Sequence, residues 1–359
     1  MQSIKHQNNH KYQSSLFYDI DLLYSVLSDT DCNSTSLLPI ELDDSLQDIY
    51  NTTYVCTGKY FGEVQFVHRN YPTMSFDFDP KNIIVCYSGG KDSLSVIMHY
   101  KNLGYNVYAY HIKGLNRFYT DEWKIAEAAS KYLGFTLIFD TVSYLGQHIW
   151  IEHPLKNMIM ATMALNYGIE HKITTNIAVG TFQSATLDDV AFDVCAGDCY
   201  DMWLLYNKVI QKIIPGFAIQ VPNFNFHTAF DLLHDHPDWL QYTISCMTPN
   251  RFRNLFRNRT QKKYNIKLLD NRCGCCWKCA VEYLLFCDKN LFDLNTDYYI
   301  HCVEVLLHTM EQEIGYKIYS IEFVWESYMF YPISESKLGR LLSNAIVRNG
   351  KIKITDKDS

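Results

Sequence analysis

Two clusters in this 359-residue chain combine residue types and spacings that can do chemistry. The first is Ser88-Gly89-Gly90-Lys91-Asp92-Ser93. It follows the apolar run Ile83-Ile84-Val85-Cys86-Tyr87 and opens a helix-compatible stretch from Leu94 to Tyr100. A strand that ends in serine and two glycines and then starts a helix suits a phosphate. The glycines let backbone approach an anion closely, and the new helix offers N–H groups at the positive end of its dipole. Ser88 and Ser93 add hydroxyl donors, and Lys91 adds a point charge. The commoner phosphate loop, G-x-x-x-x-G-K-[ST], and the G-x-G-x-x-G dinucleotide pattern are both absent.

The second cluster is Cys273-Gly-Cys275-Cys276-Trp-Lys-Cys279, with Cys246 upstream. Cys273, Cys276 and Cys279 form C-x2-C-x2-C, and with Cys246 they make a candidate four-thiolate site. Zinc held this way has no open position, so its role is structural, and it would pin 246–279 together. Cys275 competes with Cys276 as a ligand, and two-residue spacers on both sides favour Cys276. The same spacing also suits an iron–sulfur cluster, and unliganded thiols are the third reading. Cys195, Cys199, Cys287 and Cys302 read as core residues.

The elements that must carry these residues follow from periodicity. Strands are expected at Asn82–Tyr87, Asn106–His111, Phe135–Asp140, Lys172–Val179 and Ala218–Val221. Helices are expected at Asp92–Asn102, Asp121–Leu133, Pro154–Tyr167 and Cys199–Ile213. Alternation of this kind predicts an α/β fold, a doubly wound parallel sheet covered on both faces. Ligands of such sheets bind beyond the carboxyl ends of the strands. His111 and Lys113 after the second strand, and Gly180 and Thr181 after the fourth, therefore join the loop as pocket candidates. Residues 1–80 read as an N-terminal extension, with a short helix at Asp19–Leu27 and a hairpin from Thr52–Cys56 and Tyr60–His68. The nucleotide-binding domain is placed at 81–240, a cysteine segment at 241–290 and a helical tail at 291–359, with Tyr299–Glu311 and Glu335–Asn349 its clearest helices.

Composition narrows the class. About half the residues are hydrophobic, a fifth are charged and the net charge is −7, ordinary for a globular protein and unlike one that coats nucleic acid over its whole surface. No run reaches the roughly 20 apolar residues of a membrane span. The polar start and the 12 cysteines point to a cytoplasmic protein with free thiols and metal ligands. One stretch departs from the acidic average: 251–263 holds Arg251, Arg253, Arg257, Arg259, Lys262 and Lys263, with Phe252 and Phe256 between them. It is either a solvated face or a contact for a protein or nucleic acid partner. Asp188 and Asp189 can bind a substrate amine or be solvated. His234-Asp-His236 is a weaker metal motif, since Pro237 suggests a helix end there.

The SGGKDS order on a strand–loop–helix resembles the pyrophosphatase loop of the adenine nucleotide alpha-hydrolase superfamily, whose members cleave ATP between the α and β phosphates. Together with the late Ser-Cys…C-x2-C-x2-C pattern, it is similar to the 7-cyano-7-deazaguanine synthase family over roughly residues 82–285. Pro154-Leu155-Lys156-Asn157 resembles the family's P-x-R-N segment with lysine in place of arginine. Val179-Gly180 ends the following strand as in that family, and Asp188 or Asp189 and Cys195 fall in its substrate loop. The resemblance implies an ATP-dependent carbon–nitrogen ligase that uses Mg²⁺ and carries Zn²⁺. It would adenylate a deazapurine-type carboxylate and pass it to ammonia or an amine, giving an amide or a nitrile. Ser88, Gly89, Gly90 and Ser93 would cradle pyrophosphate, Lys91 would neutralise it, and Asp92 would hold Mg²⁺. Lys156 and Asn157 would contact phosphate or substrate. The loop Thr181–Asp189 departs from the family pattern. Conjugation to an amine on a macromolecule and RNA thiolation therefore stand as alternatives, and a homodimer is compatible with the chain.

Overall fold

The structure is a computed structural model that describes residues 39–40, 65–66, 74–113, 122–141, 156–181, 200–211, 214–223, 226–244, 246–287, 294–329, 332–343 and 345–354. Two compact units divide it, Met1–Ala229 and Phe230–Ser359.

The first unit is organised by the apolar strand β1 (Asn82–Cys86), in which Ile83, Ile84 and Val85 have no exposed surface. Its neighbours are β2 (Asn106–Lys113) on one side and the short β4 (Ile177–Ala178) on the other, with β3 (Thr136–Thr141) beyond β2. All pairings are parallel and the order is β3-β2-β1-β4, so the chain reverses direction across the sheet between β1 and β4. The crossovers are α1 (Lys91–Asn102), α2 (Glu122–Leu133) and α3 (Lys156–Glu170), followed by α4 (Tyr200–Gln211). Burial of Leu94, Val96, Ile97 and Met98 on α1 and of Ala161, Ala164 and Leu165 on α3 explains why β1 reads as a continuous apolar run. The α/β class with a parallel sheet is as expected.

Two expected strands are corrected. Lys172–Val179 shrinks to Ile177–Ala178, because Lys172 sits at φ 54° in the turn leaving α3. Ala218–Val221 makes only a bridge between Ala178 and Gln220. In the N-terminal extension Gln65–Phe66 pairs in parallel with Pro39–Ile40. Thr52–Cys56, the other arm of the expected hairpin, and Asp19–Leu27 lie outside the described residues, as do Pro154, Leu155, Asp188, Asp189 and Cys195.

The second unit is largely helical. α5 (Phe226–Asp235) leads into a 3₁₀ turn at Pro237–Tyr242, then α6 (Asn250–Tyr264), the cysteine segment and α7 (Trp277–Leu285). α8 (Thr296–Ile314), α9 (Ile321–Met329) and α10 (Lys337–Leu342) follow. The helix expected over Glu335–Asn349 is a further correction. It ends at Leu342, and an antiparallel hairpin of β5 (Ala345–Arg348) and β6 (Lys351–Ile354) closes the unit. Asn349-Gly350 between these strands is the dipeptide of a tight primed turn, and both residues have positive φ.

Candidate functional site: a phosphate loop and a four-thiol centre

The SGGKDS loop lies at the carboxyl end of β1, where the strand order reverses. Gly89 takes φ 84°, a value L side chains rarely adopt, and turns the chain into α1. No side chain caps α1: its N-cap is Gly90, which has none to offer. The hydroxyls of Ser88 and Ser93 face each other at 3.3 Å, and the Gly90 N–H donates to Ser88 Oγ at 3.3 Å. Ser93 Oγ also donates to the Gly90 carbonyl at 3.2 Å. The Lys91 ammonium sits 3.0 Å from both carboxylate oxygens of Asp92. Cation and carboxylate are thus gathered side by side at the mouth of an uncapped helix, an arrangement suited to an anion and its counter-cation.

Neighbouring elements fix this loop. His111 is buried, and its Nδ1 lies 2.9 Å from the Tyr87 carbonyl, so Nδ1–H must donate. Burial pushes the imidazole below its ordinary 6.5, against the raising effect of that hydrogen bond and with help from Lys113. His111 therefore holds, as a neutral ring, the residue that precedes Ser88. Lys113 places its ammonium 3.9 Å from the Phe139 ring and 4.6 Å from the Trp123 ring. These two aromatics joined no motif and left no signal in the sequence. On the other side of β1, a Cβ at Gly180 would lie 3.2 Å from Ser93 N and Cα. Buried Thr181 beside it accepts a hydrogen bond from Trp203 Nε1 of α4 at 3.2 Å. Lys156 opens α3 and Asn157, half-buried, follows it in the first turn.

In the second unit Cys246, Cys273, Cys276 and Cys279 bring their sulfurs within 4.8 Å of one another. Cys273 and Cys279 are 3.9 Å apart. A tetrahedral zinc with bonds of about 2.3 Å sets its sulfurs about 3.8 Å apart, so the four fit a single ion. A polynuclear cluster must place iron and sulfide between its thiolates and needs a wider opening. Cys275 lies outside this quartet: its N–H donates to Cys273 Sγ at 3.4 Å, and its own sulfur is 3.7 Å from Cys273. Hydrogen bonds from Cys246, Cys275, Cys276 and Cys279 hold the Cys273 thiol far below its usual range. Against the opposing pull of its bond with Cys273, Cys246 falls to about 6 through bonds from Cys276 and Cys279. Burial first, then bonds with Cys246, Cys273 and Cys276, pushes Cys279 up. Negative charge thus collects on part of the set, and a divalent cation would let all four ionise.

The scaffold of this centre includes residues that no spacing signalled. Arg272, fully buried, forks onto Glu282 of α7, with Nη2 to Oε1 at 2.6 Å and Nε to Oε2. It also donates to the Thr243 carbonyl at 2.7 Å and the Thr243 hydroxyl at 2.8 Å. The Asn271 amide donates to the carbonyls of Gln241, at 3.0 Å, and Thr243. The segment leading to Cys246 is therefore tied to the residues before Cys273. Gly274 takes φ 74°, and a Cβ there would lie 2.4 Å from Leu268 Cδ1. Its carbonyl accepts from the buried Tyr298 hydroxyl at 2.9 Å. The His234 and His236 rings, by contrast, pack on Phe286 and Trp239, and neither joins a metal-competent group among the described residues.

No family model and no curated protein matches the chain. Among solved structures it is similar to the crystal structure of a predicted subunit of tRNA methyltransferase from Methanocaldococcus jannaschii. The two are 22% identical, the match covers 42% of this chain and 72% of that one, and the TM-score is 0.27. A likeness this distant bears no weight for function. Among the described residues no helix is long and apolar enough to cross a membrane.

Proposed function

We propose that the chain is an ATP-dependent carbon–nitrogen ligase of the pyrophosphatase-loop kind, releasing AMP and pyrophosphate. The observation that carries this reading is the SGGKDS loop at the strand-order reversal, uncapped at α1, with Lys91 and Asp92 paired at its mouth. A carboxylate is a poor acceptor because its leaving group would be oxide. Attack of a carboxylate oxygen on the α-phosphorus breaks the bond to the bridging oxygen, and pyrophosphate departs with that electron pair. The α1 N–H groups, Ser88 and Ser93 receive its oxygens, and Lys91 balances the charge that develops on them. Ammonia then adds to the acyl adenylate, AMP leaves, and loss of a proton gives the amide.

Mg²⁺, when bound with ATP, would be held by the Asp92 carboxylate together with phosphate oxygens and would neutralise phosphate charge. Asp92 suits this task because its present partner, Lys91, is drawn to the same phosphates. Zn²⁺ would be held by Cys246, Cys273, Cys276 and Cys279 as a structural ion without an open position. The compactness of that quartet favours ligation over thiolation chemistry that depends on an iron–sulfur cluster.

The resemblance names a deazapurine-type carboxylic acid as the substrate. The test is mass spectrometry after incubation with ATP, Mg²⁺, 7-carboxy-7-deazaguanine and ammonia. A new species one amide heavier by NH and lighter by O supports the reading. Consumption of the acid with an adduct on an added protein or nucleic acid, and none with ammonia, moves the assignment to macromolecular conjugation.

A further inference from the structure

Helix α6 separates its basic residues into two sets. Arg253 is buried and donates to Asn250 Oδ1 at 2.5 Å, while Arg257 is paired with Asp270 at 2.8 Å. Both serve the fold. Arg251, Arg259, Lys262 and Lys263 are exposed, and Asn250–Tyr264 contains no acidic residue. Phe252 and Leu255 stand exposed among them at 39% and 45%, and the Arg251 guanidinium lies 4.6 Å from the Phe252 ring centre. From Arg251 to Lys263 the helix rises about 18 Å at ~1.5 Å per residue.

A second element borders this face. The Tyr264 ring at the end of α6 stacks on His301 of α8 with centroids 5.0 Å apart. Burial first, then the charge of Lys263, lowers the His301 pKa, while Glu304 opposes them and Lys351, on the closing hairpin, adds a smaller lowering effect. Lys351 is anchored there by Glu304 at 2.9 Å. The exposed cations of α6 stand on a chain whose net charge is −7.

We propose that this face, formed by Arg251, Phe252, Arg259, Lys262 and Lys263, binds a single-stranded nucleic acid. Charge complementarity selects a polyanion. The exposed Phe252 ring with its stacked arginine selects one with flat bases, because base stacking on an aromatic adds to phosphate contact in single strands. An acidic protein would use the cations and leave the ring unrewarded. This inference is independent of the ligation chemistry, since binding is read without ATP.

The experiment is fluorescence anisotropy of a labelled 12-nucleotide RNA with the full chain, titrated in salt. The triple variant Arg259→Gln, Lys262→Gln, Lys263→Gln is expected to bind about tenfold or more weakly, with a log–log salt slope shallower by roughly 2. Phe252→Ser, which keeps every charge, is expected to lose roughly fivefold or more. Unchanged zinc content in both variants shows that the unit is folded. RNA binding unaffected by either change overturns the proposal, as does absence of binding at about 50 mM salt. Displacement of RNA by polyglutamate as effectively as by unlabelled RNA also overturns it, in favour of an acidic protein partner.

Discussion

Gly180 lies against Ser93, so closely that a Cβ on residue 180 would come within 3.2 Å of the Ser93 backbone nitrogen. The end of β4 thereby sets the height of the first turn of α1. Gly180→Val drives that turn outward. Overpacking of this kind costs about 1–3 kcal/mol. The variant is expected to raise the KM for ATP several-fold in an AMP-formation assay, beyond any loss in melting temperature. An unchanged KM would show that β4 does not gauge the loop.

In the proposed reaction Lys91 is the cation that meets phosphate charge. Lys91→Ala is expected to lower kcat for pyrophosphate release about 10²-fold, the scale for losing one preorganised electrostatic donor. The Lys91 side chain is only 13% exposed, so the fold of the variant is read alongside its rate. Circular dichroism checks the fold and a coupled pyrophosphate assay checks the rate.

The four-thiol centre predicts one zinc per chain by elemental analysis. Cys246→Ser and Cys273→Ser should each lose the metal and destabilise the second unit, whereas Cys275→Ser should keep it. Gly274→Ala should destabilise this unit as well, through its φ of 74° and the clash with Leu268. Iron accompanied by acid-labile sulfide in place of zinc would contradict the single-ion geometry.

Arg272 and Glu282 form a buried ion pair whose remaining donors reach Thr243. Removing one partner strands a charge in the interior. Glu282→Ala is expected to cost about 3–5 kcal/mol, read as a shift of the urea midpoint. Replacing both by apolar residues of similar volume should cost less than the single change. Additive losses would show that the pair is not coupled.

Acid sensitivity follows from the histidines. Burial is the first cause that holds His99, His111 and His301 below 6.5. The unfolded chain therefore binds more protons than the folded one as pH drops below about 6.5, so stability rises with pH in that window. The contribution is complete above the unfolded value and is lost as pH falls through the folded values. Urea midpoints should decline from pH 7 to pH 5.5. His111→Asn, whose amide can keep the Tyr87 bond without titrating, should flatten that decline. A midpoint that rises on acidification would contradict the assignment.

Much of this is legible in the sequence. β1, the loop and α1 are local: an apolar run, two glycines and an amphipathic segment each point the same way. Three of the four thiols were legible from their C-x2-C-x2-C spacing, and Cys246 was legible as the cysteine upstream of them. Arg272 and Glu282 were not, because a buried ion pair ten residues apart leaves no periodicity. Trp123 and Phe139 around Lys113 were hidden for the same reason, since a crossover helix and a pair of parallel strands bring them together only through tertiary structure. The Glu335–Asn349 segment has helical apolar spacing, but its second half forms the first strand of a hairpin whose turn is Asn349-Gly350.

The most direct measurement follows the label of [α-³²P]ATP during turnover with the acid and ammonia. The account predicts that label appears in AMP, in step with pyrophosphate, and that Lys91→Ala suppresses both. Label collecting in ADP, with orthophosphate as the other product, would contradict it.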